Sequence, residues 1–62
     1  MKFEYTLKFP DGMTGDYRVE NVVDVQLNVR ANKCLITYIN DAEVVTVIDK
    51  PFDSLVHIGL SK

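Results

Sequence analysis

Apolar and polar residues alternate with a period of two along most of this chain, the signature of strands with one buried face. From Lys2 to Phe9, the residues Phe3, Tyr5, Leu7 and Phe9 fall on one side and Lys2, Glu4, Thr6 and Lys8 on the other. The same alternation returns between Val22 and Ile48, where three apolar runs are separated by the polar turns Ala31-Asn32-Lys33 and Asp41-Ala42. These runs predict a meander of antiparallel strands.

The turns set the expected pairing. A two-residue loop at Ala31-Asn32, or a four-residue loop from Arg30 to Lys33, places Val29 opposite Cys34, Leu27 opposite Ile36 and Val25 opposite Tyr38. A two-residue loop at Asp41-Ala42 places Tyr38 opposite Val45 and Ile36 opposite Val47, with Thr37 meeting Thr46 on the other face. That second face then carries Val22, Leu35, Ile39, Val44 and Ile48, too apolar to be left without a cover.

Upstream, Pro10-Asp11-Gly12 and Gly15-Asp16 mark a loop, with the apolar Met13 at its tip. The strand that follows would run from Tyr17 to Arg30, beyond the usual limit of about ten residues. Asn21 at a core-facing position and the adjacent pair Val22-Val23 predict a bulge or sharp bend there. Unshifted pairing of this strand with the first sets Phe9 against Tyr17, Leu7 against Val19, Phe3 against Val23 and Lys2 against Asp24.

After Ile48, Pro51 excludes a central strand, and the residues to Ser54 predict a short helical turn. Val56, Ile58 and Leu60 alternate beyond it and predict a last strand, while Phe52, Leu55, Val56 and Gly59 have the spacing of a C-terminal helix, the lesser reading. The expected fold is one all-β domain over residues 1–62. It is a small five-stranded antiparallel meander, arranged as an SH3-like barrel closed by the last strand on the first, or as an open sheet completed by a second subunit.

Composition narrows the function. A chain of 62 residues lies near the lower limit for folding without disulfide, metal or association, and its single cysteine cannot form an internal disulfide. The first residues contain no continuous apolar run of the signal-peptide kind, and no stretch is long enough to span a bilayer as a helix. The expected setting is cytoplasmic, with no membrane.

Candidate chemistry is sparse. Cys34 and His57 are the only residues of their types, but Cys34 falls in the core-facing register, where a cysteine behaves as a small hydrophobe. Asp49, Asp53 and His57 would share a face only on a helix, which Pro51 and the β-branched residues disfavour. The loop from Pro10 to Asp16 has neither the lysine of a phosphate loop nor the ligand alternation of a calcium loop. No cofactor or metal is expected, and an enzyme is not indicated.

Nucleic-acid binding would draw on Lys8, Arg18, Arg30 and Lys33. A straight strand would hold these in two pairs roughly 40 Å apart, with Glu20 and Asp24 between them, and the net charge is −2. The aromatic residues Phe3, Tyr5, Phe9, Tyr17 and Tyr38 share the core-facing parity and offer no stacking platform. The leading expectation is therefore a non-enzymatic interaction module that binds a protein partner or itself, a homodimer included. Its expected contact residues are Leu35, Ile39, Val44 and Ile48, with Met13 as an anchor on its loop.

Overall fold

The computed structural model describes residues Met1–Lys62 and contains six strands. They are β1 (Lys2–Lys8), β2 (Thr14–Val19), β3 (Val22–Asn28), β4 (Lys33–Ile39), β5 (Val45–Lys50) and β6 (Leu55–Ser61), with one 3₁₀ turn at Phe52–Ser54. They form two antiparallel three-stranded sheets, in the orders β2-β1-β6 and β3-β4-β5. The fold is all-β, with the last strand paired to the first.

The extra strand arises from the bend that Asn21 introduces. Asn21 adopts a left-handed φ of 58°, a conformation that asparagine tolerates better than most residues. The turned backbone is paired on both sides: Val22 donates its N–H to the Met1 carbonyl at 2.9 Å, and Ile39 donates to the Asn21 carbonyl at 3.1 Å. One bent segment thus feeds both sheets. The pairing of β3 with β4 shifts between Val22 and Asp24, so Val22 turns into the core and Val23 faces solvent.

The core lies between the sheets. It consists of Phe3, Tyr5 and Leu7 from β1, Val19 and Val22 flanking the bend, and Cys34 and Ile36 from β4, with Val25, Tyr38, Ile48 and Leu55 packed around them. The rings of Tyr5 and Tyr17 stack across β1 and β2 with centroids 5.2 Å apart, within the range where offset aromatic pairs attract. Gly15, opposite Leu7, leaves room for Phe9 and Tyr17, since a Cβ there would lie 3.1 Å from each ring.

Three registers differ from the sequence reading, each because of its turn. Phe9 and Met13 close the first hairpin through a three-residue loop, with Gly12 at φ 88°. This pairs Tyr5 with Tyr17 and Phe3 with Val19. The offset from the expected pairing is four residues, so every side chain keeps its face.

The β3–β4 turn spans Val29 to Asn32, with Asn32 at φ 54°. Leu27 then meets Cys34 and Val25 meets Ile36. That offset is two, and the faces again hold.

The third offset is one residue and reverses β5. Asp41, Ala42 and Glu43 all belong to the loop, with Glu43 at φ 59° and its N–H donated to the Asn40 carbonyl at 2.9 Å. A type I turn followed by a left-handed residue is a common three-residue hairpin connection. Ile36 consequently pairs with Ile48, Tyr38 with Thr46 and Ile39 with Val45. Ile48 points to the core, while Val45 and Val47 point outward.

Two energetic consequences can be measured by urea unfolding. Ile36 is completely buried, and Ile36→Ala should cost about 2–5 kcal/mol, enough to unfold much of so small a domain. Glu43→Gly should instead stabilise by about 0.5–1 kcal/mol, because glycine removes the strain of the left-handed turn residue.

Candidate interaction surface

The outer face of the β3-β4-β5 sheet changes character from one edge to the other. On the β3 side Asp24 and Gln26 are polar and hydrogen-bonded to each other at 3.2 Å. Across β4 the cross-strand neighbours become Thr37 with Val47 and Ile39 with Val45. Val44, Val45 and Val47 are 55%, 65% and 56% exposed. The apolar stripe therefore runs along the outermost strand.

β5 has β4 as its single neighbour, so its far side presents unpaired backbone N–H and C=O groups. Natural edge strands are ordinarily blunted by lysine, proline or a bulge. Val44-Val45-Thr46-Val47-Ile48 carries no charge and no proline, and all five residues are β-branched; lysine and proline enter only at the far end, as Lys50 and Pro51. Such a run on an open edge is a template for pairing with another strand.

The area of the whole molecule agrees with an incompletely covered surface. The chain exposes 4549 Å², against about 4,100 Å² for a typical folded monomer of this mass.

Of the expected contact residues, Leu35 and Ile39 lie on this outer face and Val44 leads into its edge strand. Ile48 does not, because the one-residue offset turns it inward against the core. Met13 is 67% exposed but belongs to the β1–β2 loop, where its N–H is bound by the Asp11 carboxylate at 2.9 Å. Val45 and Val47 escape the sequence reading, which assigns them to the core. The signal for them is the uncharged β-branched run directly after a turn.

The C-terminal strand leaves this face open. β6 pairs with β1, and its Leu55, Ile58 and Leu60 sit opposite Leu7, Tyr5 and Phe3 on the core side. None of Val56, Ile58 and Leu60 therefore lies over the outer face of the β3-β4-β5 sheet.

A second cluster lies on the outer face of the β2-β1-β6 sheet, where Asp16, Thr6 and His57 form one cross-strand row. Thr6 donates its hydroxyl to Asp16 Oδ1 at 2.7 Å. Arg18 in the next row lies 3.9 Å from both Glu4 and Glu20. The Thr6 hydroxyl is thus engaged by Asp16, and Arg18 lies between two carboxylates. Sequence spacing alone does not bring these residues together.

The remaining chemistry-bearing residues are dispersed. Cys34 is fully buried in the core, whereas His57 lies on the outside of the opposite sheet, so the two do not meet. Asp49 sits at the end of β5, Asp53 in the 3₁₀ turn and His57 in β6. Lys8 and Arg18 belong to the first sheet, Lys33 to the second and Arg30 to the turn between β3 and β4. No helix is long and apolar enough to cross a membrane.

No protein-family model matches the chain, and neither a curated protein nor a solved structure does so.

Burial raises the Cys34 thiol above its ordinary value of 9.0, with Asp49 adding to the shift. Burial likewise raises the Tyr5 phenol above 10.0, helped by Tyr17, Cys34 and Tyr38. The unfolded chain releases both protons first, so stability from these groups is fully present below pH 9.0 and is lost as pH rises through the folded values. Denaturant midpoints should therefore fall above pH 9.0, and less steeply in Cys34→Val; a midpoint independent of pH there would contradict the buried placement.

Proposed function

We propose that this chain is a non-enzymatic protein-interaction module, a small SH3-like β-barrel that binds another polypeptide along the β5 edge and the outer face beside it. The observation that carries the reading is the uncharged edge run from Val44 to Ile48, in which Val44, Val45 and Val47 are exposed. Contiguous apolar surface on an open edge marks a contact site, because water satisfies its backbone groups but not its side chains. The SH3-like description rests on the bent segment that feeds both sheets and on the 3₁₀ turn before the closing strand.

The contact residues are Ile39, Val44, Val45 and Val47, with Leu35 at the polar border of the stripe. Ile48 supports the edge from within. The cytoplasm suits the lone reduced cysteine in the core. A nucleic-acid partner gains no support, because the four bases considered for it do not share a face and Arg18 is flanked by two carboxylates.

Peptides selected from a random display library against the immobilised chain test this reading. Binders should lose about tenfold or more in affinity for Ile39→Asp and Val47→Lys while binding Val56→Lys unchanged, since Val56 is as exposed but lies on the other sheet. Far-UV circular dichroism should show all three variants folded. Unfolding of Ile39→Asp would place Ile39 in the core. Binders indifferent to both edge substitutions would remove the β5 surface from consideration.

A further inference from the structure

The negative charge of this chain is concentrated around its open edge. Residues 40–56, which contain the β4–β5 turn, β5 and the 3₁₀ turn, hold four carboxylates, Asp41, Glu43, Asp49 and Asp53, and one base, Lys50. That is a net −3. The other residues hold five carboxylates and six bases, a net +1, which accounts for the total of −2.

The placement of these groups matters as much as their number. Asp41 and Glu43 lie in the turn before β5, Asp49 is on its outer face, and Asp53 lies just past its end; all four are exposed. Lys50 is opposite Cys34, at core-facing parity and partly buried. The ion pairs of the molecule join Arg18 to Glu4 and Glu20, so none of the four is neutralised within the chain. Val45 and Val47 thus stand between two acidic ends.

This arrangement selects among possible occupants. A second copy paired β5 to β5 would bring one net −3 segment against another, and like charges opposed at an interface disfavour that pairing. An extended segment with apolar residues in the middle and lysine or arginine at each end meets both features at once. β5 spans about 20 Å at the rise of an antiparallel strand, so the flanking bases should stand about five to six residues apart.

We propose that the β5 edge accepts, as an added strand, an apolar segment of another protein flanked by basic residues. The backbone of the incoming segment pairs with the free N–H and C=O groups of β5. Its outward apolar side chains lie beside Val45 and Val47, and its bases reach Asp41 or Glu43 at one end and Asp49 or Asp53 at the other. The inference rests on the edge-binding function proposed above and adds the chemistry of the partner.

Two synthetic probes test it: the blocked peptide Lys-Lys-Val-Thr-Val-Thr-Val-Lys-Lys and the same peptide with glutamate in place of every lysine. Each is titrated into the ¹⁵N-labelled chain at 50 and 500 mM salt while amide shifts are followed. The lysine peptide should shift the Val45 to Asp49 amides saturably, bind at least about tenfold more tightly than the glutamate peptide, and weaken about fivefold or more at the higher salt. Glu43→Gln with Asp49→Asn should narrow the preference without moving the contact.

Equal binding of both probes at β5 would overturn the charge selection and leave the edge-binding reading standing. Binding of neither, or shifts confined to other strands, would overturn both. A salt-stabilised dimer with protected β5 amides would overturn the proposed partner in favour of a second copy.

Discussion

The surface of this protein depends on how one turn is closed. Asn40 accepts hydrogen bonds on its side-chain oxygen from the N–H groups of Ala42, at 2.9 Å, and Val44, at 3.1 Å, and its amide donates to Thr46 Oγ1 at 3.2 Å. These bonds hold three residues in the loop, with Glu43 in the left-handed region. With two residues there instead, every side chain of β5 would exchange faces. Ile48 would leave the core, and Val45 and Val47 would enter it.

The core and the exposed stripe are therefore one choice seen from two sides. Turning Ile48 inward completes the packing around Ile36, the largest fully buried side chain. It also leaves Val45 and Val47 in solvent. β6 does not cover them, because its backbone is paired with β1 and Leu55, Ile58 and Leu60 share the face of Leu7, Tyr5 and Phe3. None of the other strands lies over the second face, so the β5 edge stays open.

Much of the architecture is legible in the residues. Strict alternation from Lys2 to Phe9 defines β1, Asn21 and Val22-Val23 mark the bend, and Pro51 places the 3₁₀ turn before a strand. These signals are local and strong. Pairing is less legible, because offsets of two or four residues leave the alternation pattern unchanged: the sequence is equally satisfied with Val25 opposite Tyr38 or Ile36. The one-residue offset of β5 is harder still, since Val44 to Ile48 is apolar at both parities and offers nothing to distinguish its faces. The turn closed by Asn40 with Glu43 in the left-handed region decides, and glutamate carries no sequence signal for that conformation. The Asp16, Thr6 and His57 row was hidden for a related reason, as it joins three strands whose mutual register lies outside any local pattern.

The register of β5 is the claim on which the rest stands, and cross-strand nuclear Overhauser contacts in the free protein measure it directly. Contacts are expected between the backbone protons of Ile36 and Ile48 and of Tyr38 and Thr46, with the Val45 and Val47 methyl groups showing none to the core residues Phe3 and Tyr5. Contacts pairing Leu35 with Ile48 and Tyr38 with Val45 would show a two-residue turn, bury the valines, and contradict the account.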